Sequence, residues 1–443
     1  MGHLSKLEED VTITNDHSVV RRAARASFIG NFVEWFDYAT YGFLAVVIGK
    51  AFFPESDATV QLLSAFAVFA ISFILRPIGA VVWGGWGDKH GRRWALSWSI
   101  LLMAGSTFLL GLVPGYATIG ILAPVLLLVL RMIQGFSASG EYAGAATFLA
   151  EFAPRSKRGF YTSLVPASTA TGLLAGSLLV AVLHMALTDV QLESWGWRIP
   201  FLMAGPMGLI GRYIRMHLDD TPVFREFESR DRGERSHSAP VSILFRSHFR
   251  TLAVTFGVSC LNAVGFYMLL SYMPTYLSQE VGVADSDAFI ASSIMLVCYV
   301  LLIFAMGMAS DRFGRKHMLI MACILFIVLS VPLFLLLDTG SFVVIVLAQI
   351  AFCAMLTMND GTLPTFLAES FPTEVRYTGF AVSFNMANAL LGGTAPFVAT
   401  WLISVTGSVL APAWYLTAIA ILALGAMVAA HQGHHLDATT GRS

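Results

Sequence analysis

Polar residues are scarce in this chain, and they come at intervals. Between them lie apolar stretches of about 20 residues or more, enough to cross a bilayer as a helix. We place these spans at residues 24–49, 60–84, 94–113, 119–150, 159–187, 196–217, 250–279, 288–310, 317–337, 341–368, 378–405 and 411–431. Reverse-turn pairs punctuate them at Pro114-Gly115, Thr339-Gly340 and Thr406-Gly407. The expected fold is all-α and membrane-embedded, with twelve transmembrane helices in two six-helix bundles. Its parts are an N-terminal tail 1–23, a first bundle 24–217, a central loop 218–249, a second bundle 250–431 and a C-terminal tail 432–443.

A repeat supports the two-bundle reading. Gly84, Asp88, Gly91, Arg92 and Arg93 form the pattern G-x-x-x-D-x-x-G-R-[R/K], and Gly307, Asp311, Gly314, Arg315 and Lys316 form it again half a chain later. A second echo, E-x-x-P-x-x-x-R, runs from Glu151 to Arg158 and from Glu369 to Arg376. Two motifs recurring in the same order imply two copies of one bundle, the plan on which secondary transporters build alternating access. Each motif aspartate stands where a helix ends. It is placed to accept hydrogen bonds from a neighbouring helix N-terminus and to pair with an arginine of its own motif. Glu151 and Glu369 are the expected acceptors for the remaining arginines. We read this set as a gate on one face of the membrane. A solvated basic loop would explain the charges, but not the Gly and Asp spacing or its recurrence.

Composition agrees with a membrane protein: 56% of residues are apolar and 12% charged, against about a quarter charged in soluble domains. Most of the 27 Lys and Arg residues fall on one side once the N-terminus is placed in the cytoplasm. Only Lys50, Arg76, Arg131 and Arg198 fall elsewhere. By the positive-inside rule both termini are then cytoplasmic, in a multi-pass membrane protein. The first 20 residues lack a signal-peptide core. Cys260, Cys298, Cys323 and Cys353 lie in apolar runs without metal spacing and read as core residues. His431, His434 and His435 read as a solvated tail. No phosphate-binding loop or nucleophile elbow stands in a catalytic context. We therefore expect no enzyme, no cofactor, no nucleic acid and no protein partner. The partners expected are lipid, a small solute and protons.

The chemistry should lie with ionisable residues inside helices, where a charge costs at least ~2.5–3.5 kcal/mol. These are Glu34, Asp37, Arg76, Arg131, Glu141 and Asp360. Glu34 and Asp37 share a helix face about 15–20 Å deep at 1.5 Å per residue, and Arg131 reaches similar depth from the other side. A carboxylate pair opposed to one arginine is a proton switch, with Glu141 a further candidate; a static salt bridge is the plain alternative. Arg76 precedes Pro77, and we read it as structural, reaching the headgroups or a carbonyl freed by the proline.

Gating motifs after helices two and eight, in a six-plus-six layout, resemble the major facilitator superfamily. Within it, Gly30-Asn31 through Asp37, Tyr41-Gly42-Phe43, Arg76-Pro77, Arg131 to Tyr142 and Gly196-Trp197-Arg198 resemble the metabolite:proton symporter family. Tyr267 to Leu277 and Trp414-Tyr415 look like its proline/betaine transporters; the stretch Ser163 to Ala175, with Pro166, departs from the osmosensory members, as does the short tail. The resemblance implies proton-coupled uptake of a zwitterion, with a di- or tricarboxylate symporter, a drug-type antiporter and a transport-dead sensor as alternatives. Helices one, four and seven line the cavity in this superfamily. Arg131 would then hold the solute carboxylate, and Trp35, Tyr38, Tyr142, Phe266, Tyr267 and Asp360 are candidates for the remaining contacts.

Overall fold

In a computed structural model of the chain, residues 17–53, 64–65, 67–68, 71–217 and 240–430 are described. Residues 1–16 of the expected N-terminal tail, the whole expected C-terminal tail with His431, His434 and His435, and most of the central loop (218–239) lie outside the described residues. Helices dominate. The first bundle contains α1 (His17–Phe43, followed by Ala45–Phe52), α2 (Arg76–His90), α3 (Arg92–Leu112), α4 (Leu122–Phe152), α5 (Leu164–Ala186, entered through Arg158–Thr162) and α6 (Arg198–Met216). The second contains α7 (Phe249–Phe266), α8 (Asp285–Phe313), α9 (Arg315–Leu337), α10 (Phe342–Asp360, then Leu363–Ser370), α11 (Arg376–Ala387) and α12 (Ala411–Ala429). Among the described residues, nine helices meet a strict length and apolarity test for spanning. His17–Phe43 and Arg198–Met216 carry more charge, and the second helix is described mainly over its final half.

Two features of this layout differ from the sequence expectation. The first helix starts at His17, well before residue 24, because Arg21, Arg22 and Arg25 are compatible with helix in a polar headgroup zone. Pro240–Ser247, inside the expected central loop, is a short helix. Its Leu244 is fully buried, and Val241 lies beside Gly85 of α2.

Three apolar cores show how the halves meet. One core joins both bundles at the end carrying the G-x-x-x-D motifs, through Trp83, Tyr142 and Phe148 on one side and Phe366, Tyr377 and Phe384 on the other. A second belongs mainly to the second bundle but takes in Trp35, Tyr38 and Phe73 of the first. A third, around Tyr41, Phe52 and Trp197, lies within the first bundle alone. The bundles are thus tightly joined at the motif end. α7 and α11 both change at mid-depth to a π-helical turn, at Tyr267–Tyr272 and Asn388–Gly392, and the two turns face the junction. Such turns interrupt the regular ladder and concentrate at functional sites.

Candidate functional site

At mid-depth an aromatic box forms between the bundles. Trp35 sits with its ring centroid 5.4 Å from Tyr38, 5.0 Å from Phe266 and 6.3 Å from Tyr267. Phe73 closes the box at 6.0 Å from Tyr267 and 6.1 Å from Tyr38. Three rings therefore come from the first bundle and two from the second. Arg76 reaches into this group. Its Nη2 donates to Glu34 Oε1 at 3.0 Å and to the Tyr38 hydroxyl, and its Cζ lies 4.5 Å from the Phe73 ring centroid. All of these side chains are buried. Four buried polar atoms around the box have no partner in the protein: Trp35 Nε1, Tyr267 Oη, Glu34 Oε2 and Arg76 Nε. Leaving such groups unpaired is costly, and they gather beside five aromatic rings.

Arg76 is thus not the headgroup anchor that its position beside Pro77 suggested. Arg131 also differs from expectation. Its Nη1 donates to Asp37 Oδ2 at 2.7 Å, and its Cζ lies 3.6 Å from the Tyr41 ring centroid. Both partners belong to α1. The carboxylate pair is split: Glu34 goes to the arginine of α2, and Asp37 to that of α4. The guanidinium among the box rings is that of Arg76, and Arg131 packs elsewhere in the first bundle.

The other candidates lie outside the box. Glu141 forms a bidentate pair with Arg215, whose Nη1 lies 2.9 Å from Oε2, and it accepts from Ser99 Oγ at 3.2 Å. Arg215 also donates to the carbonyls of Ala26 and Leu96, at 3.1 and 2.6 Å. This pair ties α1, α3, α4 and α6 together inside one bundle, a structural position rather than a cavity-facing one. Arg215 falls in the last turn of the expected sixth span, at the edge of the central loop. Tyr142 stacks on Phe384 of α11, with centroids 4.4 Å apart, nearer the motif end. Asp360 accepts from Asn262 Nδ2 at 2.5 Å and from the Tyr299 hydroxyl.

The repeated motifs face each other across the bundles. Asp88 Oδ1 accepts from Tyr377 N at 3.1 Å, and its Oδ2 from Thr378 N and Oγ1 at 2.8 and 2.7 Å. These donors belong to the first turn of α11. In the mirror arrangement Asp311 accepts from Gly159 N and Phe160 N at 2.8 and 3.0 Å, in the short helix that opens α5. Each aspartate also pairs with its own motif arginine, Arg92 at 3.1 Å and Arg315 at 2.8 Å. Glu151 takes Arg376 at 2.7 Å and Arg92 at 3.3 Å. Glu369 takes Arg158 at 3.5 Å and Arg315 at 3.7 Å. The glycines explain how the chains come so near. A Cβ on Gly84 would stand 2.6 Å from Thr378 Cα, and one on Gly307 2.6 Å from the Gly159 carbonyl. Gly91 and Gly314 have φ of 100° and 89°, the left-handed region that other residues avoid. Arg93 is exposed.

Phe73, Arg215, Asn262 and Tyr299 were missed from sequence. Phe73 carries a usable signal, since it stands three residues before Arg76 on the same helix face. A lone tyrosine in the apolar run of α8 is a weaker one.

Comparison with known proteins bears on family and fold. The Major Facilitator Superfamily profile matches residues 27–396 and, in a second match, 255–434. The chain is 38% identical over 421 residues to the proline/betaine transporter of Salmonella typhimurium, covering 94% of this chain and 84% of that protein. It is 38% identical over 422 residues to the glycine betaine/proline/ectoine/pipecolic acid transporter OusA of Dickeya dadantii, with the same coverage of 94% and 84%. In fold it matches the proton:xylose symporter XylE, with a TM-score of 0.79 at 17% identity over 95% of this chain and 99% of that one. With its twelve-helix plan, its repeated G-x-x-x-D-x-x-G-R motifs and relatives matched along most of their length, the chain belongs to the Major Facilitator Superfamily, among the relatives of the proline/betaine transporters.

Proposed function

We propose that this protein is a proton-coupled symporter of the inner membrane that imports a small zwitterion of the proline or glycine betaine type by alternating access. The aromatic box around Arg76 is the observation that carries the reading. A quaternary ammonium cannot donate hydrogen bonds but gains ~0.5–2 kcal/mol over a ring face, and five rings surround the position. A carboxylate on the same solute suits the guanidinium fork of Arg76. The names of the relatives support the same solute class. The single arginine of the box favours a monocarboxylate over a tricarboxylate.

Coupling follows from the pairing. A solute carboxylate that engages Arg76 competes with Glu34 for it. Glu34, losing its cation in a dry site, then takes up a proton. Asp37 and Arg131 form the second switch, opened when α1 and α4 shift relative to each other. The bias of positive charge supports a cytoplasmic motif end and cytoplasmic termini. The gate is then Gly84, Asp88, Arg92, Glu151 and Arg376 with their counterparts Gly307, Asp311, Arg315, Glu369 and Arg158, closed as described above, and it opens to release solute inside.

Uptake into energised membrane vesicles tests the proposal. Glu34→Gln and Asp37→Asn should abolish concentrative uptake of glycine betaine, while exchange down a gradient persists. Undiminished pH-driven accumulation in both variants would remove the coupling role. Tricarboxylate uptake without response to betaine or proline would replace the solute class.

A further inference from the structure

Glu34, Asp37 and Glu141 each have an arginine at hydrogen-bonding distance. Asp360, in the second bundle, is equally buried at 1% exposure but differs from them. Its carboxyl oxygens meet an amide, Asn262 Nδ2, and a phenol, the Tyr299 hydroxyl. Among the described residues, no Lys, Arg or His side chain pairs with it. The titratable groups in electrostatic range are Tyr142 on α4, Tyr299 on α8 and Cys353 on α10 itself, and α7 contributes the uncharged Asn262. An isolated carboxylate in such a place is strongly disfavoured against its neutral form.

The contact atoms suit a carboxylic acid. With a proton on Oδ2, the acid donates to the Tyr299 oxygen, and a hydroxyl accepts as readily as it donates. Oδ1 keeps the hydrogen bond from Asn262. Among the described residues no cluster of His, Cys, Asp or Glu side chains is placed to hold a metal ion, and the two contacts suit a proton. The position also borders the bundle junction. Tyr142 lies within electrostatic range of Asp360, and its ring stacks on Phe384 in the core that holds the bundles together at the motif end. Parting of the bundles there removes that cover.

We propose that Asp360 is a second proton-binding site, carrying its proton while the motif end is closed and exchanging it with water when that end opens. The site is separate from the arginine-paired acids of the first bundle. The part that opening plays rests on the alternating-access reading above; the proton itself does not.

Infrared spectroscopy of the purified protein in lipid, at neutral pH and without solute or gradient, tests the site directly. The wild type should show a C=O stretch of a protonated carboxylic acid that Asp360→Asn removes and that Glu34→Gln and Asp37→Asn retain. Tyr299→Phe, which deletes one hydroxyl and leaves the acid, should shift the band without abolishing it, and it serves if the asparagine variant folds poorly. A wild-type spectrum unchanged by Asp360→Asn, or a band unmoved by Tyr299→Phe, would overturn the assignment. Gly84→Ala, which blocks close contact at the motif end, should speed deuterium exchange of this proton by more than tenfold. Equal exchange rates would refute the route while leaving the aromatic box untouched.

Discussion

The two copies of the G-x-x-x-D-x-x-G-R motif make similar contacts with different severity. In the first, the side chains of Asp88, Arg92, Glu151 and Arg376 are 0% exposed. In the second, those of Asp311, Arg315, Glu369 and Arg158 are 8–15% exposed, and the ion pairs to Glu369 stretch to 3.5 and 3.7 Å. Asp88 also gains the Thr378 hydroxyl, for which Asp311 has no counterpart in its described contacts. One motif can therefore build a dry latch and a wet one. Charges that leave water completely depend on their partners, whereas charges near water are screened and replaceable. The closed state should rest mainly on the first copy, and the second should guide closure.

The largest expected effect is at Asp88. Asp88→Asn leaves Arg92 without its nearest anion and weakens the hydrogen bonds to α11. Closure should lose about 3–5 kcal/mol, the range for breaking a buried pair. Turnover should fall far more than solute affinity, because the contact differs between open and closed states rather than between bound and free. Asp311→Asn should cost about 1–2 kcal/mol, since it also loses charge-assisted bonds but in a partly screened place. Transport rates of the two variants in proteoliposomes check the order, and equal losses would erase the distinction between dry and wet latches. A collapse of solute affinity in Asp88→Asn would recast that residue as part of the binding site.

The glycines sharpen the comparison from the other side, because here the copies should agree. Gly84→Ala and Gly307→Ala each drive a Cβ into facing backbone at 2.6 Å. Both should lengthen the distance between spin labels placed at Lys89 and Arg312, by a similar amount. If only one does, the close approach is not shared. The smallest effect belongs to the outer acids. Glu369→Gln should change turnover by less than about fivefold, the upper end of ~0.2–1 kcal/mol for exposed pairs, whereas Glu151→Gln should resemble Asp88→Asn.

Much of this was legible beforehand because it is local or repeated. Apolar runs of spanning length identify membrane helices wherever they pack, and a motif that recurs after half a chain reveals the two bundles and the residues that will meet. Partner choice was not legible. Glu34 and Asp37 stand one turn apart, and nothing in their spacing says that one turns to α2 and the other to α4. Arg76 had a sufficient local explanation in Pro77, which hid its role among the rings. Arg215 sits in a basic run at a helix end, the usual sign of a loop, yet its long side chain reaches back to Glu141. The π-helical turns of α7 and α11 have no dependable sequence signature. They stand beside the box: a Cβ on Gly392 would come 2.9 Å from the Tyr267 ring.

The central claim is that the aromatic box with Arg76 holds the solute. Equilibrium binding of glycine betaine to the purified protein, measured by calorimetry, tests it most directly. Trp35→Leu should weaken binding by about tenfold through loss of a ring face worth ~0.5–2 kcal/mol. Arg76→Lys should weaken it at least as much, since an ammonium lacks the guanidinium fork. Arg131→Lys should leave affinity within a few-fold of wild type, because Arg131 serves Asp37 and Tyr41 instead. Wild-type affinity in Trp35→Leu and Arg76→Lys, with binding lost in Arg131→Lys, would contradict the account and return the solute to Arg131.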